Sequence, residues 1–317
     1  MQKLTLLLSL LLITGLLQAQ TRQQAVTDSL ARKAREILAE AEAALGSDST
    51  IALIDSLLAA PATDLSKKSQ LALRTSYNSN ITSAGRPFEV GKYGLSGGAT
   101  YYHRSGLFAD LSGYYSQQYD PDYFLTMTSV GYMYTRHKRW SLIGEYTRYF
   151  YNLSGSSTYV AYNNNFTVTA FAEIKKLNFR LDYSFYFGDK QAHRLMPGIF
   201  LNIQKRNWHK ITRISILPSF YVLAGTEQVT TQVPLAKTIL GMIFRQRHGL
   251  PLFETQTHTV YGIMNYSLSL PILVTVRNWT FNTSYTYNIP KALPGETLTT
   301  TDGGFLSLSI TRFISMR

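Results

Sequence analysis

Residues 178–188 read NFRLDYSFYFG. Taken in steps of two, Phe179, Leu181, Tyr183, Phe185 and Phe187 form one set, and Asn178, Arg180, Asp182, Ser184 and Tyr186 the other. Side chains alternate faces along a strand, so one face is apolar and the other polar and charged. A soluble sheet buries its apolar face in a core. A transmembrane barrel turns that face to lipid and encloses a polar lumen.

The same alternation recurs along the chain. Leu71, Leu73, Thr75 and Tyr77 oppose Ala72, Arg74, Ser76 and Asn78. Trp279, Phe281, Thr283, Tyr285 and Tyr287 oppose Thr280, Asn282, Ser284, Thr286 and Asn288. Strand candidates fall at 70–79, 91–103, 106–118, 122–136, 139–152, 158–173, 177–188, 194–204, 211–225, 258–275, 279–288 and 304–315. The expected fold is all-β, an antiparallel transmembrane β-barrel of about 12 strands with a short N-terminal periplasmic helical segment. Pro197 weakens its strand, and Pro218 and Pro271 predict distortions.

The beginning of the chain supports export. Lys3, the apolar run Leu4 to Leu17 and Leu17-Gln18-Ala19 read as a signal peptide over 1–19. Residues 20–65 read as a periplasmic helical leader, with Val26, Leu30, Ala34, Ile37, Leu38, Ala41 and Leu45 at helical spacing and Pro61 beyond. Residues 66–317 read as the outer-membrane barrel. No later run reaches the ~18 apolar residues of a spanning helix. The chain has no cysteine, which removes disulfides, thiol catalysis and thiolate metal sites.

Turn lengths alternate. Connections near 103–106, 136–139, 174–177, 204–210 and 276–278 are short, whereas 225–257 and 288–303 are long. Bacterial barrels have short periplasmic turns and longer outer loops. Trp140, Trp208 and Trp279 then all fall at the inner ends of strands, as an interfacial belt.

Thr100 to Asp110 (TYYHRSGLFAD), Leu270-Pro271, Trp279 to Phe281 and Tyr285 to Tyr287 resemble uncharacterised outer-membrane β-barrel proteins of the Bacteroidota. The resemblance implies a location in the cell outer membrane of a Gram-negative envelope and supplies no catalytic residue. The last strand departs from the usual aromatic ending: Phe313 is its last aromatic, and Arg317 the last residue.

The net charge of +12 would ordinarily suggest nucleic acid. Its distribution argues against that partner. The leader carries four basic and seven acidic residues, and residues 66–317 carry twenty-six and twelve. The basic residues Arg104, Arg136, Lys138, Arg139, Lys175, Lys176, Lys205, Arg206, Lys210 and Arg277 gather on the predicted periplasmic rim, where they meet lipid headgroups or an acidic partner. The predicted lumen lining is Arg74, Asp110, Glu145, Arg180, Asp182 and Arg213, with both signs present and paired. Inward Phe108, Tyr114, Phe171, Tyr186, Phe200 and Tyr221 favour a narrow or blocked lumen.

No catalytic set is assigned. Ser184 and Asp182 precede His193, but serines near a histidine arise readily by chance, and a triad needs mutual contact. Asp120-Pro-Asp122 reads as a turn rather than a calcium site. No metal, cofactor or nucleotide motif is expected. The leading expectation is a non-enzymatic structural or accessory barrel, with outer-membrane lipid and a periplasmic or outer-membrane protein as partners. The alternatives are a narrow small-solute channel and a barrel enzyme acting on lipid or peptide.

Overall fold

The computed structural model describes residues 68–316, apart from 81, 84–85, 88–92, 118–120, 136–138, 153–161, 236–237 and 295–301. The signal peptide and helical leader read from the sequence lie outside these residues. Twelve strands form one closed antiparallel barrel. They are β1 Gln70–Asn78, β2 Gly94–Tyr102, β3 Leu107–Ser116, β4 Tyr123–Tyr134, β5 Trp140–Tyr151 and β6 Tyr162–Ile174. β7 is Leu177–Gly188, and β8 is Gln191–Leu201 continued by Ile203–Trp208. β9 is Ile211–Ile216 continued by Ser219–Pro234. β10 Phe253–Val276, β11 Trp279–Pro290 and β12 Gly303–Ser315 complete the ring. Closure comes from β1 on β12, in register from Gln70↔Ser315 to Asn78↔Ser307. It leaves no free edge around the wall, as a bilayer requires.

The two faces follow the alternation. Leu73, Leu111, Val130, Leu181, Leu268 and Leu308 are exposed on the outside, among two or more large apolar side chains from every strand except β9. Asp110, Ser129, Thr167, Asp182, Thr280 and Thr311 are buried on the inside. An apolar surface of this extent is a membrane-facing one.

The prolines act where they stand. Pro218 separates the two parts of β9, and the ladder to β10 stops at Ser219↔Ser269 and resumes at Ile216↔Ile272, opposite Pro271. At Pro197 the β8–β9 ladder skips from Leu195↔Ala224 to Gly198↔Tyr221, while pairing with β7 continues. A residue without an N–H loses one ladder bond and keeps the other side.

The structure corrects one reading of the connections. Residues 226–234 and 253–257 are not loop but extend β9 and β10, within a ladder paired from Thr226↔Tyr261 to Pro234↔Phe253. The long connection shrinks to 235–252 and contains the helix α1, Ile239–Arg247. The end of the barrel with this arm also has one tight turn, at Asp189-Lys190.

At the other end the turns after β6, β8 and β10 have only two residues, and the first of each is left-handed: Lys175 (φ 62°), His209 (φ 56°) and Arg277 (φ 53°). Unbranched and polar residues tolerate this conformation better than β-branched ones. Arg277→Ile is therefore expected to lower stability by about 1–2 kcal/mol, with Arg277→Gly nearly neutral. Urea unfolding in lipid vesicles checks it, and equal effects of the two substitutions would contradict it.

Candidate functional site

The structure places Arg74, Asp110, Glu145, Arg180, Asp182 and Arg213 on the inward register. It assembles four of them into two networks and seats Glu145 on Ser129 and Thr147. In the first, Arg74 on β1 reaches across β2 to β3. Its guanidinium donates to Thr100 Oγ1 (2.5 Å), Asp110 Oδ2 (2.7 Å) and Ser112 Oγ (2.6 Å). Thr100 and Ser112 also donate to Asp110, at 2.5 and 2.7 Å. The crossing is open because Gly98 stands between Arg74 and Ser112 in the register. Glu145 on β5 is hydrogen-bonded by Ser129 and Thr147, whose hydroxyls lie 2.9 Å apart.

In the second network Arg180 and Asp182, both on β7, form an ion pair at 2.7 Å, each only 4% exposed. Thr169 donates to the other Asp182 oxygen at 2.6 Å. The guanidinium carbon of Arg180 lies 5.8 Å from the ring centres of both Phe171 and Tyr221. Tyr221 occupies the space over Gly198, the register partner of Arg180.

A third ion pair, Arg194–Glu227 at 2.7 Å, was not anticipated. Arg194 marked the edge of its predicted strand, and Glu227 fell in a predicted loop. Arg194 lies over Gly225, its register partner. The signal available in the sequence was the glycine, since Arg74, Glu145, Arg180 and Arg194 face Gly98, Gly131, Gly198 and Gly225 respectively. Arg213 stands elsewhere on the wall, on β9. It is half-buried near the short-turn end and faces Arg206 across the β8–β9 ladder.

The inward aromatics are not spread evenly. Phe124, Leu125, Met127, Tyr149, Tyr162, Tyr186 and Ala192 form one buried cluster on β4 to β8. A second cluster joins Ala72, Tyr102, Phe108, Ile143 and Phe313. Across the barrel from the first, β11, β12, β1 and β2 carry small polar side chains. One register row runs Asn282–Ser309–Ser76–Ser96, and the next Ser284–Ser307–Asn78–Gly94. Ser76 bonds Ser96 at 2.5 Å, and Ser307 bonds Asn78 at 2.5 Å. Ser76, Asn78, Ser96, Ser307 and Ser309 keep intermediate exposure although they face inward.

On the rim, Arg104, Arg139, Lys175, Lys176, Lys205, Arg206, Lys210 and Arg277 are all exposed at the short-turn end. Arg136 and Lys138 lie outside the described residues. Lys205 and Arg206 belong to a strand rather than a turn. They sit on Ile203–Trp208, which runs past Leu177, the first residue of β7, and their charge guards that overhanging edge. Trp140, Trp208 and Trp279 are 43, 44 and 42% exposed at this same end. Lys205 lies 5.2 Å from the Trp208 ring and Arg312 5.2 Å from Trp279. Cations beside aromatic rings suit a headgroup interface.

The Ser184–His193–Asp182 arrangement does not exist. His193 points outward, its Nδ1 2.8 Å from Tyr183 Oη and its ring stacked on Phe185, whereas Ser184 and Asp182 point inward. Asp122 accepts a bond from Tyr115 Oη at 2.6 Å. Among the described residues, no group of three His, Cys, Asp or Glu side chains could hold a metal ion.

A closed antiparallel barrel with an apolar outer belt, an aromatic girdle and a polar interior defines the class: this is an outer-membrane β-barrel protein. No family model and no curated protein matches the sequence. Among solved structures, it is similar to a KdgM porin in complex with disordered oligogalacturonate, at 11% identity over 77% of this chain and 98% of that one, TM-score 0.42. A NanC porin is similar at 10% identity, 76% and 98% coverage, TM-score 0.40. LpxR from Salmonella typhimurium is similar at 9% identity, 77% and 100% coverage, TM-score 0.38. At such values these likenesses carry no argument, and the barrel rests on its own strand pairing.

Proposed function

We propose that the protein is a narrow channel for small polar solutes. The observation that carries this reading is the asymmetry of the lumen. Eight strands make a barrel that side chains can fill, and diameter grows roughly linearly with strand number. Toward the long-loop end the bulky side chains of the first cluster stand on β4 to β8, while the facing wall there, apart from Phe305, carries mainly serine and asparagine; Tyr102 and Phe313 of the second cluster stand on that wall nearer the short-turn end. The serines of that wall keep partial solvent exposure, so toward the long-loop end the first cluster narrows the lumen from one side.

The passage is lined by hydroxyl and amide groups, which suit uncharged polar solutes. Arg74 and Arg180 are neutralised by Asp110 and Asp182, so they hold the wall rather than select ions. The inner mouth is basic through Arg206 and Arg213, which favours small anions there. The accessory reading leaned on inward aromatics closing the lumen and on a helical leader docking at the basic rim. The first aromatic cluster crowds one wall, and the leader lies outside the described residues.

Planar-bilayer recording tests the proposal. The wild type is expected to show small, reproducible conductance steps. Ser309→Trp, which projects a large ring from the small wall, is expected to remove most of that conductance. Arg213→Gln is expected to weaken anion preference without closing the pore. A silent bilayer with correctly folded protein would overturn the channel reading.

A further inference from the structure

Three of the arginines on the wall have carboxylate partners: Arg74, Arg180 and Arg194 pair with Asp110, Asp182 and Glu227. All three face inward. Arg148 on β5 does not. Its neighbours in the same register, Tyr146 and Phe150, are 38 and 51% exposed on the lipid side. No carboxylate among the described residues pairs with Arg148. It donates instead to Asn164 Oδ1 at 2.8 Å, and its guanidinium carbon lies 5.9 Å from the Phe150 ring centre.

The seat is built rather than incidental. Asn164 on β6 is only 7% exposed. Its Oδ1 also accepts from Tyr146 Oη at 2.7 Å, and its amide donates to the Phe187 carbonyl at 3.3 Å. One fixed carbonyl oxygen thus orients both Arg148 and Tyr146. A guanidinium has five N–H donors, and Asn164 accepts from one of its nitrogens.

Height identifies what it meets. Arg148 lies eight residues beyond Trp140 on the same strand. At ~3.3 Å per residue and ~40° tilt, this raises it ~20 Å above the tryptophan belt. The apolar band is ~25 Å tall, so Arg148 falls at its far edge, the outer-leaflet interface. A lipid-facing arginine with no carboxylate partner among the described residues suits an anion, and phosphates are what that interface supplies.

We infer that Arg148, held by Asn164, binds the phosphate of a phosphorylated glycolipid of the outer leaflet, with Tyr146, two residues nearer the bilayer centre, against its acyl chains. The assignment is independent of whether the lumen conducts. The bidentate fork of the guanidinium matches a phosphate, and such charge-assisted bonds are the strong ones.

Native mass spectrometry of the full-length, detergent-folded barrel tests it, with bisphosphorylated lipid A, dephosphorylated lipid A and phosphatidylethanolamine as probes. Arg148→Met is expected to reduce retention of the phosphorylated probe about tenfold, the loss of one charge-assisted bond, and to leave the other two unchanged. Arg312→Met, at the opposite interface, should leave all three unchanged. Asn164→Ala keeps the charge but frees its geometry, and is expected to give a smaller loss than Arg148→Met; heat-modified gel mobility checks folding of each variant. Equal retention of phosphorylated and dephosphorylated lipid, or wild-type retention by Arg148→Met, overturns the site. Displacement of the lipid by millimolar inorganic phosphate would make it a free-anion site and overturn the lipid assignment.

Discussion

Arg180→Met is expected to lower the unfolding free energy of the barrel by about 3–5 kcal/mol, because it strands the Asp182 charge in the wall. Asp182 is 4% exposed, with one oxygen on Nε of Arg180 and the other on Thr169. The substitution preserves length and apolar contact, so Phe171 and Tyr221 lose little packing. The loss is therefore electrostatic, and removing the second charge should recover most of it. Arg180→Met with Asp182→Asn is expected to lie within about 1–2 kcal/mol of the wild type, since an isosteric pair without charge leaves no buried ion. Urea unfolding in phospholipid vesicles measures both. A single variant within ~1 kcal/mol of the wild type would show that the pair is as solvated as a surface one.

The second large effect is steric. A Cβ at Gly131 would fall 2.4 Å from Phe108 Cζ and 2.5 Å from the Gly144 carbonyl oxygen. The phenyl ring belongs to the inner cluster with Tyr102 and Ile143, and the carbonyl to the neighbouring strand, so neither yields easily. Gly131→Ala is expected to cost about 1–3 kcal/mol, and Gly131→Val more. Gly97 supplies the control: it faces lipid and a Cβ there meets nothing within 4 Å. Gly97→Ala is expected to be neutral or to stabilise by about 0.5–1 kcal/mol, since glycine weakens a strand. Similar effects at the two positions would mean that strand entropy, not the packing of Phe108, governs both.

Much of the wall was legible in the sequence because lipid imposes a period of two. Asn178 to Gly188 could take only one orientation once the outside was apolar, and the inward positions of Arg74, Asp110, Glu145, Arg180 and Asp182 followed. The same reasoning explains why residues 226–234 and 253–257 read as loop. Above the bilayer no lipid demands an apolar face, so Thr226 to Pro234 (TEQVTTQVP) shows no clean alternation and resembles a loop. It is nevertheless a strand, paired through its backbone to 253–261. The Arg194–Glu227 pair was lost with it.

Local pattern determined the architecture: the barrel, its strand number, which side chains face in and which end carries the tryptophans. These depend on alternation and turn length, which are properties of neighbouring residues. Only the tertiary structure decided how the inside is arranged. Arg74 meets Asp110 across an intervening strand, over the gap left by Gly98, and the aromatic wall stands opposite a row of serines drawn from both ends of the chain. Such meetings depend on the register between strands and on closure of β1 against β12. A period of two says nothing about which inward residues share a height, so the shape of the lumen, and with it the function, emerges only once the barrel is closed.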